Sequence, residues 1–179
     1  MAGVDLGFVE KADKWKLLSH FFPSKVGGKP AWLYLKNLPK IDELTCPDCQ
    51  KPCIFLLQIY CPLGDKANCF HRTLFIFTCK TSSCSGSNKF HVLRSQLPRI
   101  NEFYSDQPPN EDDYDGDSDY PSASKFQNLC RVCGCAGNKN CSRCHETTYC
   151  SREHQVLDWK AGHKSSCGTA QGYSIFKCS

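Results

Sequence analysis

The chain has 179 residues, of which 40% are hydrophobic, and it carries a formal net charge of +4. This length allows one medium domain or two small domains with ordinary apolar cores. No apolar run approaches the roughly 20 residues of a membrane-spanning helix, and the first residues lack the apolar segment of a secretory signal. We therefore expect an intracellular, zinc-rich protein without a membrane partner, in which the C-x2-C pairs among its 15 cysteines bind metal rather than form disulfides.

The charge is distributed unevenly along the chain. Residues 1–100 carry a net +7, residues 101–124 a net −8, and residues 125–179 a net +5. The acidic stretch is also rich in proline and serine, a composition that does not support a packed core. We predict four parts, namely a β-rich domain over 1–104, an acidic disordered linker over 105–124, a second domain over 125–170 and a disordered tail over 171–179.

The N-terminal domain is predicted to be antiparallel β. Apolar or alternating runs at 53–60, 70–79 and 89–97 are separated by turn-forming residues, as in hairpins. A further aromatic strand is expected within 21–35, after a turn at Gly27 and Gly28 that requires positive φ. With a single helix later in the chain, the predicted fold class is α+β.

Two cysteine pairs flank the first two predicted strands, with the spacings C-x2-C and C-x4-C. Pairs at the ends of a hairpin are typical of a zinc ribbon, so we predict a zinc here, with ordinary buried or surface thiols as the alternative. Cysteines without a paired spacing, and two histidines within strands, are expected to be structural. The predicted ligands are Cys46, Cys49, Cys79 and Cys84, and the structural residues are Cys53, Cys61, Cys69, Cys178, His71 and His91.

Eight potential metal ligands lie within the 38 residues from 130 to 167. Their spacing is C-x2-C-x7-C-x2-C-x5-C-x3-H-x8-H-x3-C, and eight ligands fill two tetrahedral zinc sites. The segment has little apolar material, so metal binding would supply most of its folding free energy, roughly 10–16 kcal/mol per site. Spacing alone leaves open whether the ligand pairs combine in sequence or interleave.

One helix is predicted over 151–164 in this second domain. Ser151 is a good N-cap, and Val156, Leu157 and Trp159 are expected to supply apolar contacts. Gly162 is expected to weaken or end the helix.

The segment CRVCGCAGNKNCSRCHETTYCSREHQVLDWKAGHKSSC resembles a MYND zinc finger. That family interleaves its ligand pairs, the first with the third and the second with the fourth. His154 stands where most members have cysteine, but imidazole is an adequate zinc ligand. Cys135 and His145 lie off the pattern and are expected not to bind metal. The resemblance implies a first zinc on Cys130, Cys133, Cys150 and His154, and a second on Cys141, Cys144, His163 and Cys167.

The order of LGFVE, FPSKVGGKPAWL, CPDCQKPCIFLLQIYCPL and FHRTLFIF ahead of this finger resembles the programmed cell death 2 family of MYND proteins. The resemblance implies a regulator of cell proliferation and apoptosis in nucleus and cytoplasm. It also implies corepressor partners for the finger and chaperoning of a small-ribosomal-subunit protein by the β domain. Members of that family continue past the finger, so the chain is expected to be a short isoform or truncated form.

We expect a non-enzymatic binding protein, because four-ligand zinc sites leave no coordination position for a substrate. Phosphate-binding loops, dinucleotide fingerprints and the G-x-S-x-G motif are also absent from the sequence. The finger would bind proline-containing peptides, and the β domain a basic ribosomal client. The alternative is a DNA-binding or corepressor-recruiting transcriptional regulator that acts through the finger. The speculative contacts for a basic client are Glu111, Asp112, Asp113, Asp115, Asp117 and Asp119.

Overall fold

The computed structural model describes residues 6–86, 89–116 and 119–168. Its main element is a four-stranded antiparallel sheet in the order β1-β2-β3-β4. The strands predicted at 53–60, 70–79 and 89–97 are confirmed to within one residue at each end. The four strands are β1 Lys25–Val26, β2 Ile54–Tyr60, β3 His71–Thr78 and β4 Phe90–Leu97.

One face of the sheet forms the core of the N-terminal domain. Every second residue of β3 is buried, and Phe75 and Phe77 are at most 1% exposed. The Trp32 ring packs over both, with its centroid 4.7 Å from that of Phe75 and 6.2 Å from that of Phe77. The alternation read from the sequence therefore identifies the face on which the core is built.

The prediction of an aromatic strand within 21–35 is wrong, because in that range only Lys25–Val26 pairs with the sheet. The predicted positive φ is confirmed, at 70° for Gly27 and 72° for Gly28. Beyond this turn the backbone is held by a side chain: Gln58 Oε1 accepts from the Ala31 N–H at 2.8 Å, and Gln58 Nε2 lies 3.3 Å from the Ala31 carbonyl oxygen. Hydrogen bonds to the buried Gln58 side chain thus replace strand pairing at Ala31.

The acidic segment, residues 105–124, packs against residues near the start of the described chain. The Tyr114 ring stacks on Trp15 with centroids 4.7 Å apart, and the Tyr120 ring stacks on His20 at 4.2 Å. Within 105–116 and 119–124 these two contacts join the segment to the N-terminal region, whereas its acid- and proline-rich composition predicts a disordered linker. The tail predicted over 171–179 lies outside the described residues.

The C-terminal domain consists of a short hairpin followed by a broken helix. The helix predicted over 151–164 instead has a regular first half, a wide π-type turn and a short final turn. The turn contains Gly162, which has φ 143° and interrupts the helix as expected. The elements are β5 Lys139–Asn140, β6 Thr148–Tyr149, α1 Arg152–Asp158, the turn Trp159–His163 and α2 Lys164–Ser166.

Helix α1 directs polar residues inward. Its N-cap is confirmed, since Ser151 Oγ accepts from the His154 N–H at 3.2 Å. The buried residues of α1 are His154 and Asp158, four positions apart on one face. The prediction of apolar contacts is wrong for Val156 and Leu157, whose side chains are 43% and 57% exposed, but it holds for Trp159, which packs against the core. The helix buries a ligand and an acid, so its apolar residues fall on the outside.

Buried Asp158 is anchored by two partners. Its Oδ2 accepts from the Tyr149 hydroxyl at 2.7 Å and lies 3.4 Å from Arg131 Nε. Burial raises the pKa of Tyr149, and donation to the Asp158 carboxylate raises it further. Asp158 therefore joins three parts, namely the β5–β6 hairpin, helix α1 and the C-x2-C segment Cys130–Cys133, which we call the first knuckle; Cys141–Cys144 is the second.

The two domains share one core. Trp32 Nε1 donates to the Gly134 carbonyl oxygen at 2.8 Å in a buried position, and the Ala136 N–H donates to the Pro39 carbonyl oxygen at 3.4 Å. At Gly134 a Cβ would lie 3.1 Å from the Lys29 Cβ, so the backbones approach closely. The irregular segment after β1, residues 27–39, thus packs the C-terminal domain against the sheet. Among the described residues, no helix is long and apolar enough to cross a membrane.

We predict that Trp32→Phe lowers the free energy of unfolding by about 1–3 kcal/mol, because the buried Gly134 carbonyl loses its donor while an aromatic ring is retained. Denaturant titration of the metal-loaded protein measures this loss. Trp15→Phe is the control, since that ring stacks on Tyr114 without an indole hydrogen bond in the described part of the chain. An equal loss in both variants would contradict the role of the hydrogen bond.

Candidate metal centres

Three groups of four cysteine or histidine side chains each bring one ligand atom apiece to within 4.8 Å of one another. All twelve are residues that the sequence singled out, and the other described cysteines lie outside these groups. Cys53, Cys61 and Cys69 belong to none of them, and Cys178 lies outside the described residues. The groups are Cys46, Cys49, Cys79 and Cys84; Cys130, Cys133, Cys150 and His154; and Cys141, Cys144, His163 and Cys167.

The N-terminal cysteine cluster forms at one end of the β2–β3 hairpin. The Sγ atoms of Cys46 and Cys84 are 3.8 Å apart, and those of Cys49 and Cys79 are 3.6 Å apart. A tetrahedral zinc with Zn–S bonds of about 2.3 Å requires S···S edges of about 3.8 Å. A disulfide would require about 2.05 Å. The spacing therefore fits four thiolates around one metal.

The first finger cluster is fully buried. Cys133 and Cys150 place their Sγ atoms 3.6 Å apart, and His154 Nδ1 lies 3.6 Å from Cys130 Sγ and 3.1 Å from Cys150 Sγ. For zinc with one imidazole nitrogen, the S···N edge is about 3.6 Å. His154 thus directs Nδ1 toward the three thiols of the cluster.

The second finger cluster uses the other imidazole nitrogen. His163 Nε2 lies 3.7 Å from Cys144 Sγ, and the Sγ atoms of Cys141 and Cys167 are 3.8 Å apart. These edges again match a tetrahedron of zinc dimensions. The clusters combine ligand pairs one and three, and pairs two and four, which is the interleaved arrangement that the MYND resemblance implies.

Two of the cluster thiols have a pKa that favours the ligand form. Hydrogen bonds from the Lys51 backbone N–H and the Thr81 hydroxyl lower the pKa of Cys49 to about 6. At Cys144, burial opposes ionisation, but backbone N–H groups of the following turn and the Thr147 hydroxyl lower the pKa to about 6. Thiolates are the form that binds metal. Burial with the neighbouring thiols raises the pKa of Cys167 in the second finger cluster to about 11, so Cys49 and Cys144 ionise more readily than Cys167 and full ionisation would need the cation.

A common turn holds the first two cysteines of each cluster. In all three C-x2-C segments, the carbonyl of the first cysteine accepts from the N–H four residues later at 2.9 Å. That fourth residue always has positive φ, at 56° for Gln50, 74° for Gly134 and 58° for His145. The N-terminal pair therefore has the same local structure as the two finger pairs, and His145 closes a turn rather than facing the ligands.

The remaining cysteines near the clusters have other roles. Cys53 is 2% exposed, and burial together with the neighbouring thiolates raises its pKa to about 11. Cys135 is 1% exposed, and its carbonyl accepts from the Cys130 N–H at 2.8 Å. His71 Nδ1 lies 2.8 Å from the Tyr60 hydroxyl. Cys53 and Cys135 thus lie beside the clusters without belonging to them, while His71 lies at the opposite end of the β2–β3 hairpin from the N-terminal cluster.

The acids proposed for a basic client are partly engaged within the chain. Glu111 forms an ion pair with Lys16, and Asp119 forms one with Lys125. Asp115 Oδ1 accepts from the Tyr120 hydroxyl at 3.3 Å, while Asp112 is exposed. The Asp113 side chain and Asp117 lie outside the description.

Sequence reasoning missed the residues that hold the ligand-bearing segments in place. Asp158 carried a readable signal, because it follows the ligand His154 by four residues and so shares its helix face. The Trp32–Gly134 hydrogen bond carried none, because it joins residues 102 positions apart.

A β-rich domain and a cross-braced finger, each with cysteine clusters of zinc dimensions, define a zinc-finger protein. The sequence model of the MYND finger matches residues 130–167, and the model described as "Programmed cell death protein 2, N-terminal domain" matches residues 3–111. The chain belongs to the programmed cell death protein 2 family.

Curated relatives agree with this assignment. Programmed cell death protein 2 from Bos taurus is 54% identical over 165 residues, which cover 91% of this chain and 47% of the relative. The protein of that name from Rattus norvegicus is 49% identical, with 92% and 48% covered. Programmed cell death protein 2-like from Homo sapiens is 36% identical over 81 residues, with 44% and 21% covered. The chain spans about half the length of the first two relatives, and no solved structure matches it.

We predict that His145→Gly leaves the metal content unchanged and alters the free energy of unfolding by less than about 1 kcal/mol. Relief of the left-handed conformation offsets the larger unfolded-state entropy of glycine. His163→Gly should instead release the metal of the second finger cluster. Metal analysis and denaturant titration of both variants check this, and metal loss in His145→Gly would show that His145 is a ligand.

Proposed function

We propose that this chain is a non-enzymatic adaptor in which three structural zinc ions stabilise two domains that bind other proteins. The observation that carries the proposal is the geometry of the three clusters. Each offers four ligand atoms at tetrahedral spacing, so a bound zinc would have its coordination completed by the protein. Such a metal holds the chain in place and leaves no position at which a substrate could be activated.

The proposed ligands are the three groups of four described above, one zinc to each group. In the finger, one zinc would join the first knuckle to Cys150 and His154, and the other would join the second knuckle to His163 and Cys167. In the N-terminal domain, zinc would fix the turn at Cys46–Cys49 to the end of β3 and the loop after it. The shared turn geometry of the three C-x2-C segments supports a metal at the N-terminal cluster as well as in the finger.

We predict that native mass spectrometry of the purified chain finds three zinc ions. Cys79→Ser should reduce the number to two, because one thiolate is lost from the N-terminal cluster while the finger remains intact. Cys53→Ser is the matched control: it removes a buried cysteine beside that cluster and should retain three. Two zinc ions in the unaltered chain, or a loss in Cys53→Ser, would contradict the assignment.

The outer side of α1 supports a protein partner for the finger. Val156 and Leu157 are exposed there and, with Arg152, Glu153 and Lys160, line a shallow depression. Exposed apolar side chains with charged neighbours suit a short peptide that inserts apolar groups and is oriented by polar contacts. We propose proline-containing peptides of corepressor-type partners as ligands, as the family resemblance implies, and the nucleus and cytoplasm as the place of action.

The second partner that we propose is a basic small-ribosomal-subunit protein, bound through the acidic segment. Support comes from its charge and from the exposure of Asp112. A client would compete with Lys16 and Lys125 for Glu111 and Asp119. These lysine pairs are solvent-exposed, a class of interaction worth only about 0.2–1 kcal/mol each, so an array of basic residues could displace them.

We predict that Leu157→Glu abolishes retention of proline-containing peptides on an array, while Val26→Glu, an equally exposed apolar position on the sheet, leaves it unchanged. The reason is that only Leu157 lies on the finger helix. Equal loss in both variants would contradict a site on α1. Retardation of a labelled DNA duplex that weakens steeply with salt would instead support direct nucleic-acid binding.

A further inference from the structure

The face of the sheet opposite the core is apolar across all four strands. Cross-strand partners share a face, so the register traces continuous rows over it. One row joins Val26, Leu57, Ile76 and Val92 from β1 to β4. We call this surface the outer sheet face, and its apolar members are Val26, Ile54, Leu57, Ile59, Leu74, Ile76, Phe90 and Val92.

The outer sheet face is uncovered in the part of the chain that the structure describes. Phe90 and Val92 are 62% and 58% exposed, whereas Phe75 and Phe77 on the other face are at most 1% exposed. The eight apolar members also lie outside the core cluster and its packed neighbours. An antiparallel sheet with one solvated face normally places polar side chains there. A contiguous apolar face of this kind marks an interaction surface.

The charge of the outer sheet face has one sign. Its charged strand residues are Arg72 and Arg94, and no outward-facing strand position carries an acid. Arg94 is exposed beside Leu74, and Arg72 Nε donates to the Cys61 carbonyl oxygen at 2.8 Å. A basic partner would be repelled here, while a partner with apolar side chains and carboxylates would be complementary.

The greater length of the relatives indicates which polypeptide could cover the outer sheet face. The cow and rat proteins carry about as much chain again outside the part that this chain matches, since the match covers 47% and 48% of them. The matched part already accounts for the sheet, its core and the finger. The unmatched half is therefore available to cover a face that these elements leave open.

We propose that the outer sheet face is the docking site for the half of the full-length family protein that this chain does not match. The docked half presents an apolar surface to the rows around Val92 and carboxylates to Arg94. This inference goes beyond the adaptor function and does not depend on the metal at any cluster. It assigns the sheet to contact within the family's own longer chain and leaves the acidic segment and α1 for other partners.

The test uses this chain and, as a separate polypeptide, the unmatched half of the Bos taurus relative. Isothermal titration should show binding that Val92→Glu weakens by at least about tenfold, because a charge enters the centre of an apolar interface. Arg94→Glu should also weaken binding and reduce its dependence on salt. Leu157→Glu, an equally exposed apolar position on α1, is the matched control and should bind as the unaltered chain does.

Circular dichroism and zinc content show that each variant is folded, so lost binding reports on the surface. No binding of the unmatched half at about 100 μM, or the same affinity in Val92→Glu, overturns the proposal. Self-association of this chain that Val92→Glu removes would assign the face to a second copy, and capture of a basic ribosomal protein through it would assign it to a client. Either outcome overturns the occupant proposed here.

Discussion

Interleaving of the two ligand clusters is the constraint on which the finger depends. Each cluster takes one pair of ligands from a knuckle and the other from a segment that lies beyond the second knuckle. Cys141 and Cys144 lie within the loop that the first cluster closes, so assembly of that cluster shortens the chain that the second must close. The regular helix α1 has only seven residues and buries His154 and Asp158 rather than an apolar face. With zinc bound at both clusters, metal–ligand bonds would supply much of the folding free energy of the finger, beside the core that it shares with the sheet.

The irregular segment after β1 connects this finger to the sheet. Trp32 covers Phe75 and Phe77 on one side and donates a hydrogen bond to Gly134 in the first knuckle on the other. The same side chain thus completes the N-terminal core and seats the finger. Stacking of Tyr114 and Tyr120 on residues near the start of the described chain draws the acidic segment into the same structure. Partner surfaces on both domains are consequently held together by packing as well as by chain connectivity.

Patterns local in sequence predicted the strands and the ligands, and long-range contacts decided the rest. Alternation in β3 reflects burial of one face, so its bounds could be read directly. The irregular path at Trp32 depends on the side chain of Gln58, 27 residues from Ala31, and no local pattern reports such a contact. Hydrophobicity predicted burial of Val156 and Leu157, but the inward face of α1 is occupied by the ligand His154 and the acid Asp158, so both apolar side chains are exposed. Positive φ at His145 was likewise hidden, since the residue type does not require it.

The acidic segment and the outer sheet face differ in charge, and so in the partners that each can bind. The acidic segment is negative and partly paired with Lys16 and Lys125, while the outer sheet face is apolar with Arg72 and Arg94 at one end. A basic client that approached the sheet would meet charges of its own sign, so its route to this protein leads through the acidic segment. An acidic, apolar polypeptide would meet the reverse. The two proposed partners would thus bind surfaces of opposite sign and would not compete for the same residues.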